Sequence, residues 1–535
     1  LVIVFGSVVA AVLPLAIGVF AIIGTLAILQ ILSGLTEVSI FALNLTTALG
    51  LGLAIDYALF VVSRYREELA AGFDPGDAVV RTVQTAGRTV IFSAATVAAS
   101  LSAMLVFDLA FLRSFGYAGI AVVAMAAVGA VVVLPAMLAA LGTRIDRWRL
   151  RKTRVVVDGE GVWHRIATGV MRRPVSVATV AIALLLFLGA PFLGVQLGTS
   201  DDRILGEGSY AREVGDVLRA EFGASESAPI SIVSEATIGP DSLGDYAAEL
   251  STLTGVARVD ALTGTYVGGQ QVSPPTPLHQ QFSGDGTYLS VVLGIDPISA
   301  EAEDLVADVR AVDAPVEMQV GGQSADFVDT KASLFSSLPW ALAIIASITF
   351  VLLFLMFGSV VMPIKAIALN ILSLSATFGA LVWIFQDGNL SEFLGFTSTG
   401  SIDLTMPILI FVIAFGLSMD YEVFLLSRIK EEYDKTGDNI GSVAIGLERT
   451  GRIVTAAAVL IAVVFIAFAT SEVLTIKMFG IGMTLAVLVD AFIVRATLVP
   501  AFMRLAGSVN WWAPAWMTTI YERFGISDHV ELDDP

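Results

Sequence analysis

The sequence predicts a polytopic α-helical membrane protein, with ten transmembrane helices in two repeated halves and one α+β domain set between them. Three observations predict it. The 535 residues are 56% hydrophobic and only 15% charged, whereas an ordinary soluble domain carries about a quarter charged residues. Apolar runs long enough to cross a hydrocarbon core of roughly 30 Å recur through the chain. One set of motifs occurs twice, at a constant offset of 364 residues.

Ten such runs lie near 8–30, 43–63, 89–107, 115–141, 174–195, 339–356, 361–385, 403–427, 453–471 and 477–503. Each must be helical, because lipid offers nothing to satisfy an open backbone. Lys and Arg orient them. The segments 64–88, 142–173, 428–452 and 504–535 hold 4, 9, 5 and 2 basic residues. All four fall on one side of a ten-span arrangement, the cytoplasm by the positive-inside rule, which makes both chain ends cytoplasmic. The densest stretch is Arg144, Arg147, Arg149, Arg151, Lys152 and Arg154. It reads as a solvated linker beside anionic headgroups, with a partner-binding tail as the alternative.

Composition also excludes. A net charge of −19 argues against a nucleic-acid partner, since phosphate recognition needs a basic surface. With no cysteine there is no thiol nucleophile, thiolate metal site or disulfide, and three scattered histidines (His164, His279, His529) make no metal cluster. No nucleophile–base pair stands out, so neither an enzyme nor a cofactor is expected. The opening residues lack the charged n-region of a signal peptide.

One polar stretch interrupts the spans. Residues 196–338 hold 22 acids and 6 bases. Their pattern reads strand Pro229–Glu235, helix Asp241–Leu253, strand Val256–Leu262, strand Thr287–Asp296, helix Ala300–Val312 and strand Val316–Gly321. That β-α-β-β-α-β order is the ferredoxin-like split unit. The stretch 271–286, with Pro274, Pro275 and Pro277, reads as a loop between its halves. The domain is expected on the extracytoplasmic face, opposite the arginine-rich loops.

In the repeat, Gly-Leu-Ala-Ile-Asp-Tyr (52–57) aligns with Gly-Leu-Ser-Met-Asp-Tyr (416–421). Ser63-Arg64 aligns with Ser427-Arg428, Glu68 with Glu432, Gly87-Arg88 with Gly451-Arg452, and Phe115-Gly116 with Phe479-Gly480. Asp108 and Arg113 align with Glu472 and Lys477, which are expected to anchor outer turns at the interface. A duplication in two membrane halves is the usual architecture of transporters. Phe5-Gly6-Ser7 aligns with Phe357-Gly358-Ser359 at 352, the difference being an insertion near Gln386–Ser398. In the second half a span, the polar domain and another span precede that turn. The intact protein is therefore expected to carry two further spans and a second outer domain, twelve spans in all. The expected organisation is a first membrane half over 1–141, a basic linker 142–173, a span 174–195, the outer domain 196–338, the rest of the second half 339–505 and a short tail 506–535.

Asp56 and Asp420 lie well inside apolar helices, where an ionisable group costs at least about 2.5–3.5 kcal/mol on insertion scales. A carboxyl taken out of water can alternate between its neutral and charged forms, the requirement for a proton carrier. Tyr57 and Tyr421 follow directly and can donate to a carboxylate of the facing helix. Gly52 and Gly416 sit four residues earlier on the aspartate's face, where they can admit a neighbouring backbone or water. Structural polar contacts between helices, and a sodium site using Ser418 or backbone oxygens, are the competing readings.

Asp490 and Arg495 share the last span without counterparts at Ala126 and Val131. Five residues apart, they point about 140° from each other on an α-helix and are expected to pair with other helices, as a structural ion pair or a relay accessory. Met125, Met478 and Met483 read as packing rather than a copper path. Trp511, Trp512 and Trp516 read as an interfacial aromatic anchor.

These motifs resemble a known family. Residues 52–68, Gly-Leu-Ala-Ile-Asp-Tyr through Ser63-Arg64 to Glu67-Glu68, resemble the fourth-helix motif of the MMPL family of the resistance-nodulation-division superfamily. Phe415–Glu432 resembles its tenth-helix counterpart, and Arg172-Arg173-Pro174 and Val489-Asp490-Ala491 with Arg495 are similar to other landmarks. The likeness runs from Phe5 to about Leu505. It implies a proton-motive-force-driven exporter of lipids or other hydrophobic envelope molecules from the inner membrane. It implies a relay of Asp56 facing Tyr421 and Asp420 facing Tyr57, outer domains that enclose a substrate cavity, and a place for envelope accessory proteins. Efflux of hydrophobic drugs or antibiotics is the alternative within transport. A non-pumping sterol- or lipid-sensing or scaffold protein is the alternative from another class.

Overall fold

The computed structural model describes residues 1–148, 161–206, 208–221 and 226–525. Among them, ten helices are long and apolar enough to cross a membrane, at the positions the apolar runs mark. The first four are α1 (Val8–Leu32), α2 (Phe41–Ala70), α3 (Pro75–Val106) and α4 (Ala110–Asp146). A short amphipathic helix, α5 (Val162–Arg172), precedes α6 (Pro174–Gly194). Helices α7 (Tyr210–Glu221), α8 (Pro240–Leu250) and α9 (Ala300–Ala311) belong to the polar region. The spans then resume with α10 (Gln323–Phe357), α11 (Val361–Gln386), α12 (Met406–Thr436), α13 (Asn439–Thr470) and α14 (Leu474–Trp511), before a final α15 (Ala515–Phe524). Of the basic run, Arg149, Arg151, Lys152 and Arg154 lie outside the described residues, as does His529.

Helices α2 and α12 form the centre: 83% and 89% of their most apolar stretches are buried, against 22% for α6. The packing is crosswise. Helix α12 lies on α3, and α2 lies on α13. Local devices recur at nearly the same offset. The Phe-Gly-Ser turns place Gly6 and Gly358 at φ 72° and 64°, a left-handed helix stop that glycine adopts without strain. Ser7 and Ser359 then cap the next helix, accepting from Ala10 N at 3.2 Å and from Val361 N at 3.1 Å. Their hydroxyls donate to Ile145 O and Asn510 O at 2.8 and 2.6 Å. Single 3₁₀ turns end α3 (Ala103–Val106) and α13 (Ala467–Thr470), and π-helical segments lie within α4 (Gly129–Val133) and α14 (Asp490–Leu498). Helices α6 and α11 touch through their backbones. A methyl on Gly379 would sit 2.0 Å from Leu188 O, so only hydrogen fits.

The polar region has its own core, with Ile232, Leu243, Leu250, Val291 and Leu305 at its heart. Strands β2 (Ile230–Ser234), β3 (Val256–Ala261), β4 (Gly264–Val267), β5 (Gln270–Ser273), β6 (Thr287–Leu293) and β7 (Gln319–Gly321) follow β1 (Leu197–Gly198). They form a sheet in the order β5-β4-β3-β6-β2-β7, every neighbouring pair antiparallel. The expected loop over 271–286 is corrected in part. Its first residues belong to β5 of a hairpin, and Pro277–Phe282 is a 3₁₀ turn capped by Thr276. The prolines pushed the reading toward loop, whereas the hairpin is turned by Gly268 and Gly269 at φ 56° and 83°.

Two connections tie this region to the spans. Helix α10 runs unbroken for 35 residues, about 52 Å at 1.5 Å per residue, roughly 20 Å more than a ~30 Å core needs. The expected boundary at 338 thus falls inside one helix. Strand β1 also pairs in parallel with β8 (Ile402–Asp403), just before α12.

Candidate functional site at the crossing of the central helices

At four-residue spacing Gly52, Asp56 and Phe60 share one face of α2, and Gly416, Asp420 and Phe424 share the matching face of α12. The crossing brings the two Asp-Tyr pairs together. Asp56, Tyr57, Asp420 and Tyr421 are 5%, 0%, 1% and 3% exposed. Asp420 accepts a hydrogen bond from Ser93 Oγ of α3, and the same Ser93 Oγ lies 3.4 Å from the Tyr57 oxygen of α2, which sets Tyr57 beside Asp420. Asp56 faces Tyr421 across a cavity of about 20 Å³ floored by Phe60 and Phe424. There Asp56 Oδ2 and the Tyr421 hydroxyl complete no hydrogen bond. Buried polar atoms are nearly always satisfied, and a polar cavity of this size holds about one water. The space and the two unsatisfied oxygens fit a bridging water.

Gly52 and Gly416 do not admit a neighbouring backbone. A methyl on either would meet side chains at 3.4–3.6 Å, Ile461 beside Gly52 and Ser100 with Val97 beside Gly416.

The expectation for Asp490 and Arg495 is corrected in part: Arg495 does reach another helix, but the two side chains do not diverge. They form an ion pair with each other, 5% and 3% exposed. The 140° separation assumed an α-helix, but Asp490–Leu498 is π-helical, and i→i+5 closure brings the fifth residue back onto one face. The guanidinium also donates to Ser418 O at 2.5 Å and Ser418 Oγ at 3.2 Å, and lies 4.8 Å over the Tyr421 ring. The oxygens that a sodium site would have used at Ser418 therefore bind an arginine.

One outer-turn expectation and one interfacial-anchor expectation also change. Arg113 and Asp108 pair at 2.9 Å, but Lys477 is 4% exposed and donates to Leu394 O and, at 2.9 Å, to Gly395 O. The 386–398 insertion supplies those carbonyls and draws the lysine inward. Trp511 likewise stacks on Tyr433, ring centroids 5.0 Å apart, while Trp512 and Trp516 are exposed.

At the β1–β8 end of the central helices lies an apolar cavity of about 300 Å³, lined by Phe41, Leu45, Phe115, Met406, Leu409 and Phe479 among others. Ile204 also lines a neighbouring polar cavity of about 650 Å³ that includes Arg203, Glu392 and Glu472. Asp403 lines the first: it accepts from Ser200 Oγ at 2.5 Å and from Thr405 N, just before α12, at 2.9 Å.

Residues 1–177 and 208–525 match the MMPL family. The chain belongs to the MMPL family. It is thereby a multi-pass membrane protein of the resistance-nodulation-division superfamily. This MMPL chain is 41% identical over 532 residues to a membrane protein of Streptomyces coelicolor, covering 99% of this chain and 71% of that one. It is 36% identical over 564 residues to the trehalose monomycolate exporter MmpL3 of Mycolicibacterium smegmatis, covering 99% and 55%. It is 33% identical to the mycolic acid-containing lipids exporter MmpL11 of the same organism, covering 97% and 54%. The chain therefore spans little more than half of these two exporters. Its fold is similar to the crystal structure of SecDF, a translocon-associated membrane protein from Thermus thermophilus, with TM-score 0.52 at 15% identity over 93% of this chain and 61% of that one. That likeness is one of fold alone.

Sequence reasoning missed three polar groups of this MMPL core. Ser93 lies in α3 where the second half has Ala457, so the repeat gave no signal for it. Glu422, 5% exposed, faces Lys365 of α11, whose ammonium lies 3.2 Å from the sulfurs of Met362 and Met503. Both were readable as charges inside apolar runs.

Proposed function

We propose that this chain is the greater part of a proton-driven exporter of amphiphilic lipids, with Asp56, Tyr57, Asp420 and Tyr421 as its intramembrane relay and Asp490 with Arg495 as accessories. The observation that carries the reading is the crossed cluster. Two carboxyls are sealed in an apolar interior, each opposite the other half's tyrosine, and one pair is separated by water-sized space. A proton arriving there changes the charge at the contact between the halves, and that contact sets how they pack. Each proton moving inward gains about 2.3 kcal/mol per 100 mV before any pH gradient.

Relatives named as exporters of trehalose monomycolate and of mycolic acid-containing lipids support a lipid substrate. So do the adjoining cavities. The apolar one suits acyl chains and the polar one suits a hydroxylated headgroup, with Ile204 at the junction. In this reading residues 196–338 are a ferredoxin-like porter domain outside the plasma membrane. The membrane halves are duplicates, and the arginine-rich loops and both chain ends are cytoplasmic. Asp56→Asn or Asp420→Asn, reconstituted in the intact protein, is expected to abolish proton-coupled lipid movement while insertion and folding persist. Wild-type transport by either variant refutes the relay.

A further inference from the structure

Helix α5 lies across the basic-loop ends of α13 and α14. Its inward stripe, Trp163, Ala167 and Met171, repeats every four residues, with Trp163 partly buried and Ala167 and Met171 0% and 5% exposed. Two attachments hold it. The Gly161 N–H donates to Glu448 Oε1 at 2.7 Å, and His164 Nδ1 stands 3.4 Å from Glu448 Oε2. The Trp163 indole lies flat against Gly451 of α13, where a methyl would fall 2.7 Å from the ring. The equivalent glycine of the first half, Gly87, has no ring upon it; its nearest neighbours are Val83 and Val131.

Trp163 walls a second void, of about 10 Å³, whose other sides include Arg495, Thr450 and Val454. Thr450 and Val454 also line the Asp56–Tyr421 cavity. The two voids are thus set on either side of Thr450 and Val454, one reaching Asp56 and the other the inner face of the indole. We propose that Trp163, held by the Gly161–Glu448 contact and seated on Gly451, is the seal on the basic-loop side of the proton route. Helix α5 is the element that lifts to let a proton leave. The seal's role in transport rests on the relay reading, but its physical presence does not.

The chain has no cysteine, so Thr450→Cys supplies a single thiol behind the seal. With Trp163 present, a membrane-impermeant maleimide applied from the basic-loop side is expected to label that thiol slowly. Trp163→Ala is expected to speed labelling on the order of tenfold, as for any local opening that becomes populated, and Trp163→Phe to keep it slow. Equal labelling with and without the indole overturns the proposal. In proteoliposomes, Trp163→Ala is expected to raise substrate-independent proton flux, and adding Asp56→Asn to remove the increase. A flux increase that survives Asp56→Asn also overturns it. If wild-type flux is indifferent to Asp56→Asn, the relay reading fails while the labelling result still judges the seal. Should Trp163→Ala not accumulate, Gly451→Ala displaces the indole by its clash and is read in the same way.

Discussion

Phe60 and Phe424 occupy equivalent places in the two halves, one helical turn after the paired aspartates, and their ring centroids meet 4.3 Å apart at 45°. The contact joins α2 to α12, and both rings line the cavity between Asp56 and Tyr421. Truncating a buried aromatic costs about 3–5 kcal/mol. Phe424→Ala is expected to lower the thermal midpoint of the purified protein by several degrees, and Phe424→Leu by less. An unchanged midpoint would mean that lipid or rearranged side chains fill the gap.

Ser93 tests the relay without touching its carboxyls. A hydrogen bond to a charged group is worth about 1.5–3 kcal/mol, and Ser93 supplies one to Asp420. Ser93→Ala is expected to slow proton-coupled transport by roughly tenfold or more, with the thermal midpoint near wild type. Full activity in the alanine variant would show that Asp420 works without this hydrogen bond.

The Asp490–Arg495 pair makes an asymmetric prediction. Removing one partner of a buried ion pair leaves an uncompensated charge, at about 3–5 kcal/mol. Asp490→Ala should therefore destabilise the protein more than the double variant Asp490→Ala with Arg495→Met. Equal unfolding midpoints would contradict the pairing. Arg495→Lys should also impair function, since a lysine cannot reach Ser418 and Asp490 in the same planar arrangement.

The contact of α6 with α11 leaves no room. Gly379→Ala places a methyl 2.0 Å from Leu188 O, against backbone that cannot rotate aside, and is expected to reduce folded protein in the membrane sharply. Gly52→Ala, whose methyl would sit 3.6 Å from Ile461, should accumulate normally. Comparable yields of the two variants on size-exclusion chromatography would contradict this.

Outside the membrane, Arg219 donates to both oxygens of Asp202 at 2.7 Å and holds that carboxyl below its ordinary range. Because the folded value is depressed, the stabilisation is present at neutral pH and is lost as pH falls through the lowered value. Both side chains are about a quarter exposed, so solvent limits the effect to roughly 0.2–1 kcal/mol. Protection of the amides in Tyr210–Glu221, taken relative to the intrinsic exchange rate at each pH, should fall on acidification toward about pH 3, and Arg219→Ala should show the lowered protection already at neutral pH. Slow neutral exchange in that variant would place the anchor of α7 elsewhere.

Hydropathy and motif spacing, which are local properties, determined a great deal of this protein. They located ten spans and, in the polar region, two helices and four strands, but not β4 and β5 between β3 and β6. They singled out the aspartate–tyrosine pairs because a charge in an apolar run is visible without knowing its neighbours. Tertiary structure decided whatever depends on which helix faces which. Ser93 has no repeat partner and an unremarkable sequence context, yet the crossing of α3 with α12 puts it on Asp420. Lys477 looked like an interfacial anchor until the carbonyls of the 391–395 turn drew it inside. Asp490 and Arg495 were misread because pitch is assumed in reading a sequence. A π-helical segment adds most of a residue to each turn, and that change alone brings two charges expected to diverge into an ion pair against Ser418 and Tyr421.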